Sequence, residues 1–447
     1  MVRGAFTDKS GEIVTRFSVF ESQPDWRQQD RMAGAMPLGL AGKADGSRAA
    51  PCHTRPGCSS LRSQGMRNRN VPQSALRLIL LVCSLVAARI EALAAPGELP
   101  VIQRIDKSSI TVSGLSSGAA MAVQIGTVHS RIVRGVGILA GPPYLCAEGS
   151  VTRAYNTCLL LGRGRFESWF GLAPRRSPCD AGAGPDIEVR DLVEDTLALA
   201  RKDSIDPVEG LRSQRVWEYR GRCDTVVGQN ASRAQAEFYR HFGAQFVSRT
   251  LDNAGHTMPT DRPDQGACDV EDKDYVSSCG FDAVGEMLRH LTAAPAGARG
   301  AVMGRWTTFN QARYVDSTLP ERERLGEIGM AREAEVFVPD SCGQRACKIH
   351  VALHGCLQGI DDAVYRNFVR HAGYAEWAST LDMVVLFPRV TALRPFERGF
   401  DPVGNPQGCW DWWGYTNRGV GSFRRYATRD APQIKAIMNM VRVLGGT

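Results

Sequence analysis

From residue 96 onward the chain switches repeatedly between two hydrophobic patterns. Short runs dominated by β-branched and aliphatic residues predict strands at 110–113, 135–139, 215–219, 246–251, 334–338, 348–353 and 383–388. Between them, apolar residues recur at three- and four-residue spacing over 118–129, 187–201, 229–242, 281–292, 365–380 and 431–444, which predicts helices. Strands separated by helices need crossover connections, and crossovers build parallel sheets. The expected fold is therefore α/β, with a mainly parallel sheet flanked by helices. The segment 144–185 follows neither pattern. It is rich in Cys, Gly and Arg and reads as an insertion held by disulfides, a kind of segment that often borders a functional site. No repeat, linker or low-complexity stretch breaks 96–447, so that span is expected to be a single domain.

Upstream the pattern is different. Met66 opens a short positive region with Arg67, Arg69 and Arg77, and an apolar run over 78–88 follows, too short for a permanent membrane anchor. Ala92-Leu93-Ala94 then supplies an A-x-A cleavage pattern. Residues 66–95 thus read as a secretory signal peptide, cut after Ala94 or Ala95. Residues 1–65 show no sustained period and are expected either to be disordered or to precede the true start at Met66.

This division changes the meaning of the charge. The 447 residues carry a net charge of +7, but residues 1–95 hold 13 of the 54 basic and only 7 of the 47 acidic residues. Six of the seven net charges therefore lie in the leader, and the rest of the chain offers no phosphate-tracking surface, so no nucleic-acid partner is expected. A hydrophobic content of 43% against 23% charged excludes global disorder. Of 13 cysteines, three lie in the leader and ten follow, an even number that allows five disulfides in an oxidising compartment. Cys268 with Cys279 and Cys342 with Cys347 are close enough to close small loops. A metal site would call for CxxC or HExxH spacing, and neither occurs, so no metal is expected. No second apolar run of spanning length follows, so a soluble protein, extracellular or periplasmic, is expected after signal cleavage.

Gly114-Leu115-Ser116-Ser117-Gly118 matches G-x-S-x-G. The β-branched run before it and the small-residue helix after it make the strand–turn–helix setting of a nucleophile elbow, in which Ser116 projects its hydroxyl. A serine needs a base. Most of the eight histidines fall in the leader, in predicted helices or inside a strand, whereas His256 and His354 fall in loops directly after strands, where α/β sheets assemble their sites. His256, in Asn253-Ala254-Gly255-His256, is the expected general base. Asp224 follows strand 215–219 and lies 32 residues before His256; it is the expected orienting acid, with Asp252 and Asp261 as alternatives in the loop of His256 itself. The order Ser116, Asp224, His256 is that of α/β-hydrolases.

His354 belongs to a different motif. Val351-Ala352-Leu353-His354-Gly355-Cys356 runs a strand into a His-Gly turn of the kind that lends an N–H to an oxyanion hole, yet Cys356 comes 240 residues after Ser116 instead of before it. A circular permutation removes the oddity: 348–353, 365–380, 383–388 and 431–444 then lead spatially into 110–113 and Ser116. The N–H groups of Ser117 and Cys356 are the expected oxyanion donors. This arrangement also requires the ends of the domain to lie near each other.

Together with Gly408-Cys409-Trp410-Asp411-Trp412-Trp413-Gly414, these motifs resemble those of the polyhydroxybutyrate (PHB) depolymerases. The closest resemblance is to the single-domain group with an N-terminal lipase box and a circularly permuted α/β-hydrolase fold. It covers roughly residues 100–445 and implies hydrolysis of poly(3-hydroxybutyrate) or its oligomers to hydroxy acids outside the cytoplasm, with a polyester as partner; separately, the serine mechanism calls for no cofactor and a monomer is expected. The resemblance also implies a Cys356–Cys409 pair. The chain departs from multidomain depolymerases in lacking a linker and a separate binding module, which puts adsorption to crystalline polymer in doubt. Trp410 and Trp412 are the expected substrate contacts, Trp410 first, with core packing as the other use of these rings. A feruloyl or acetyl esterase of plant polysaccharide, or a non-catalytic polymer-binding protein, would use the same fold.

Overall fold

The computed structural model describes residues 6–7, 13–14, 97–160, 179, 182–271, 274–394, 404–417 and 424–445. The expected signal peptide, residues 66–95, lies outside the described residues, as does most of 1–65, where only a short antiparallel ribbon of Phe6–Thr7 against Ile13–Val14 is described. Everything else belongs to the unit Leu78–Thr447.

In chain order the strands are β1 (Ile105–Leu115), β2 (Val133–Leu139), β3 (Arg215–Gly221), β4 (Gln245–Leu251), β5 (Met258–Thr260), β6 (Gly266–Ala267), β7 (Val276–Ser278), β8 (Gly304–Asn310), β9 (Glu333–Pro339), β10 (Cys347–Leu353) and β11 (Met383–Phe387). The main helices are α1 (Ser117–Val128), α2 (Val189–Arg201), α3 (Gln229–His241), α4 (Ala283–Thr292), α5 (Glu321–Ile328), α6 (Asp362–His371), α7 (Tyr374–Leu381) and α8 (Pro432–Val443). Eight strands form one sheet in the order β8-β9-β11-β10-β1-β2-β3-β4; β9 is antiparallel to both of its neighbours and every other pairing is parallel. β5, β7 and β6 make a small parallel sheet beside it.

Counted from β8 instead of β1, the eight strands lie in the order 1-2-4-3-5-6-7-8. β1, the first of these strands in the chain, therefore lies inside the sheet and not at its edge, as the late His-Gly turn required. The ends of the domain lie near each other accordingly. The Gly97 N–H donates to Thr308 O at 3.1 Å, alongside β8, and a Cβ on Gly445 would lie 3.0 Å from Ile102 O. The fold is a circularly permuted α/β-hydrolase.

Buried parallel strands carry apolar residues on both faces. β11 reads Met-Val-Val-Leu-Phe and is buried throughout; Val384 faces one core layer and the next residue, Val385, faces the other. The first layer takes Met121 of α1, Leu192 of α2, Phe238 of α3 and Ile434 of α8; the second takes Met287 of α4, Phe368 of α6 and Trp377 of α7. A smaller cluster joins Cys146, Leu159, Val226, Cys409, Trp412 and Trp413 above the sheet.

Several elements differ from expectation, among them the short strands β5, β6 and β7, which no apolar run announced. The helix expected over 365–380 is two helices, broken at Gly373, whose φ of 98° no continuous helix contains. β8 was not foreseen; it is an edge strand with a mostly half-exposed face, so its apolar alternation is weak. α5 was missed because only Leu325 and Ile328 of its eight residues are buried. All seven expected strands are present.

Candidate active site

β1 delivers Ser116 into the turn before α1. Ser116 has φ 57° and ψ −118°, a conformation that costs a non-glycine residue about 1–3 kcal/mol. Two hydrogen bonds hold it: its N–H donates to Leu139 O at 2.8 Å, and its carbonyl accepts from the Ala120 N–H at 3.0 Å. The flanking glycines are needed for space. A Cβ on Gly114 would sit 2.3 Å from the Gly118 carbonyl carbon, and one on Gly118 would sit 2.3 Å from Leu353 O, at the end of β10. The nucleophile turn and the His-Gly turn thus touch backbone to backbone.

The loops after β3 and β4 bring Asp224 and His256 together. Asp224 Oδ1 accepts from the Val226 and Val227 N–H groups, both at 2.8 Å, leaving Oδ2 to face His256 Nδ1 at 2.8 Å. Both side chains are buried. Burial disfavours the imidazolium, but the Asp224 carboxylate, its hydrogen bond and the charge of Glu271 outweigh it, so the His256 pKa is raised above its ordinary value. The alternative acids are engaged elsewhere: Asp252 with Arg222 and Asp261 with Arg299, each at 2.7 Å.

Ser116 and His256 face the same cavity of about 250 Å³, together with Leu115, Tyr275, Gly355 and Cys356. Among the described residues no hydrogen bond joins the Ser116 hydroxyl to the imidazole. Such contacts are often long before a substrate is bound.

The His-Gly turn after β10 is clamped on every side. The Gly355 N–H donates to Gln358 Oε1 at 2.6 Å, and the Leu357 N–H donates to Gln407 O at 2.7 Å. His354 Nε2 accepts from the Val390 N–H at 3.1 Å, which leaves the proton on Nδ1 to be donated to Gly355 O at 2.7 Å. Burial lowers the His354 pKa to about 4, with the Gly355 carbonyl opposing it, so the ring is neutral at neutral pH. In a trans peptide the C=O and N–H point opposite ways. Holding Gly355 O toward His354 therefore turns the Cys356 N–H outward. Ser117 is the first residue of α1, where an N–H has no intrahelical acceptor. Both residues line the space beside Ser116.

A second cavity of about 360 Å³ opens on the other side of Ser116, walled by Pro142, Tyr155, Leu159, Trp412, Trp413 and the Cys356–Cys409 disulfide. The Trp412 and Trp413 rings meet edge to face, with centroids 5.6 Å apart. Trp410, expected as the first substrate contact, is not in this wall. It is fully buried beneath the His-Gly turn, where its indole N–H donates to His354 O at 3.0 Å. A polar indole tip that finds a buried acceptor draws its ring into the core.

All ten cysteines after residue 95 are paired: Cys146–Cys158, Cys179–Cys223, Cys268–Cys279, Cys342–Cys347 and Cys356–Cys409. Sequence reasoning passed over Tyr155, Leu159, Tyr275, Gln358 and Glu271. The first two lie in the irregular insertion, which was the available signal; Tyr155 sits in a π-helical stretch, Ala154–Cys158. The others carried none. Among the described residues no group of three or more His, Cys, Asp or Glu side chains could hold a metal ion.

No family model matches the chain. It is 34% identical over 359 residues to the poly(3-hydroxybutyrate) depolymerase of Delftia acidovorans, a match covering 78% of this chain and 62% of that protein. It is 29% identical over 352 residues to the polyhydroxybutyrate depolymerase of Talaromyces funiculosus, covering 74% and 88%. The chain thus spans somewhat less than two thirds of the length of the Delftia relative. Two solved structures share its fold with a TM-score of 0.61 and 26% identity, over 78% of this chain and 99% of theirs. One is the PHB depolymerase from Penicillium funiculosum, and the other is a serine-to-alanine variant of a PHB depolymerase complexed with an R3HB trimer. In sequence and in fold together, this chain is a homologue of the polyhydroxybutyrate depolymerases.

Proposed function

We propose that the protein is a serine ester hydrolase that cleaves poly(3-hydroxybutyrate) or its oligomers through an acyl-enzyme. One observation carries the reading: a strained serine and an imidazole held by a buried carboxylate face one cavity, and the residues carrying two candidate oxyanion N–H groups, Ser117 and Cys356, line the space beside that serine. The substrate class rests on the relatives, one of which is bound to an R3HB trimer.

His256 takes the Ser116 proton as the hydroxyl attacks the ester carbonyl, and Asp224 holds the imidazole in the Nδ1–H form and stabilises the imidazolium. The N–H groups of Ser117 and Cys356 receive the oxyanion; a single such donor contributes about 3 kcal/mol to the transition state. His256 returns the proton to the leaving alcohol. Water then attacks the acyl-enzyme by the same route and frees the hydroxy acid and Ser116. No cofactor takes part. The flat rings of Trp412 and Trp413 suit an uncharged, methyl-bearing ester chain. All of these groups come from one chain, in keeping with a monomer. Five disulfides favour action outside the cytoplasm.

The Ser116→Ala variant is expected to fold with unchanged thermal stability, to leave a suspension of amorphous polymer turbid and to escape labelling by a fluorophosphonate. Clearing of the suspension by that variant would overturn the proposal.

A further inference from the structure

The loop closed by Cys268–Cys279 touches the turns carrying the acid, the base and the His-Gly motif without supplying any of the reacting groups. The Asp274 carbonyl accepts from Gln358 Nε2 at 2.7 Å, the same amide whose oxygen holds the Gly355 N–H. Tyr275 sets its ring edge against His256, with centroids 6.1 Å apart. Cys268 O accepts from the Gly255 N–H at 2.9 Å, next to the base.

Glu271 makes the densest of these contacts. Its Oε1 accepts from the Thr225 N–H at 3.0 Å and from the His256 N–H at 3.3 Å. The Thr225 hydroxyl lies 2.8 Å from Oε1 and 2.7 Å from Oε2. Thr225 is the residue after Asp224. A single carboxylate therefore ties the loop carrying the acid to the loop carrying the base, 46 and 15 residues away in sequence.

We propose that Glu271 is a positioning residue: it locks the Asp224 and His256 loops into register and sets a second negative charge beside the imidazole. This rests on the assignment of His256 as the base. The titratable and charged groups facing that ring are Asp224 from the loop after β3, Glu271 and Tyr275 from the Cys268–Cys279 loop, and Ser116 from the nucleophile turn. His256 is buried, and the two carboxylates together favour its protonated form against that burial. A base must be neutral to act, so activity falls as pH drops through the imidazole pKa. Removing the Glu271 charge leaves burial less opposed, lowers that pKa and extends activity to lower pH.

The test uses the full chain and p-nitrophenyl butyrate. Glu271→Gln keeps an acceptor for the Thr225 and His256 N–H groups, can donate to the Thr225 hydroxyl where the carboxylate accepted, and removes the charge; the acidic limb of its kcat/KM profile is expected to move to lower pH. Glu271→Ala also removes the tie and is expected to lose about tenfold to a hundredfold in kcat with KM little changed, because small displacements of a base are costly. A profile for Glu271→Gln that superimposes on the parent's overturns the inference, and it does so even if the alanine variant fails to fold. Fluorophosphonate labelling separates the two proposals. A parent enzyme that does not label at Ser116 overturns the hydrolase reading, whereas a parent that labels and a glutamine variant whose limb is unmoved overturn only the role of Glu271.

Discussion

Two regions meet at Ser116 and are built by different means. On one side are the ends of the parallel strands, where β1, β3, β4 and β10 present the serine, the carboxylate, the imidazole and the Cys356 N–H in turns held by main-chain hydrogen bonds. On the other are the loops that wall the larger cavity, joined by Cys146–Cys158 and Cys356–Cys409 and lined by aromatic rings. The sheet holds the proposed reacting groups firmly because each turn is fixed at its base by a strand. The loops need covalent ties, and their precision matters less, since a flat ring against an apolar chain tolerates small shifts. The two regions should therefore fail differently, the strand ends in kcat and the wall in KM.

The largest expected effect lies at a strand end. Asp224→Asn keeps the shape and the bonds from Val226 and Val227 but offers Nδ1 a donor in place of an acceptor. The imidazole then sits in the wrong tautomer, and kcat is expected to fall about 10⁴-fold with KM little changed. Steady-state kinetics on p-nitrophenyl butyrate measures this. A loss confined to KM would erase the distinction between the regions.

The wall answers more gently. Trp413 packs on Trp412 and on Tyr415, with ring centroids 5.6 and 5.1 Å away. Trp413→Leu keeps apolar volume but loses the flat face, worth about 1 kcal/mol, so KM for a hydroxybutyrate oligomer should rise about fivefold at constant kcat. The same change at Trp410 would remove the indole donor on His354 O, beneath the oxyanion turn, and would appear in kcat instead. Rates on soluble oligomers with each variant sharpen the contrast, since two nearby tryptophans should report on two different regions.

The same contrast governs what could be read from the sequence. Ser116, Asp224, His256 and the His-Gly turn could be picked out because each follows a strand: β1, β3 and β10 carry buried apolar runs, and β4, though largely exposed, still carries Phe246, Val247 and Leu251. Even the permutation was legible, because a motif stood out of order. The loops gave no comparable pattern. Whether Trp410 or Trp413 lies inward depends on which indole meets His354 O, a partner 56 residues away. Glu271 was invisible because its partners, two backbone N–H groups and the Thr225 hydroxyl, lie 15 and 46 residues away and form no sequence motif with it. The single helix expected over 365–380 failed at Gly373 for a local reason: one glycine inside an apolar period does not by itself reveal a left-handed turn.

The smallest expected effect tests whether nearness in sequence carries any weight. Asp252 is four residues from His256, whereas Asp224 is 32 residues away. Sequence distance alone would make Asp252 the partner of the base. The structure instead sends it outward, onto Arg222 at 2.7 Å, with 82% of the aspartate side chain and 56% of the arginine side chain exposed. Exposed pairs of this kind contribute between nothing and about 1 kcal/mol. Asp252→Asn should therefore leave kcat and KM within about twofold and the unfolding midpoint nearly unchanged. A loss approaching that of Asp224→Asn would move the orienting acid off the end of β3. It would also show that the loop, not the strand, sets the geometry of the base.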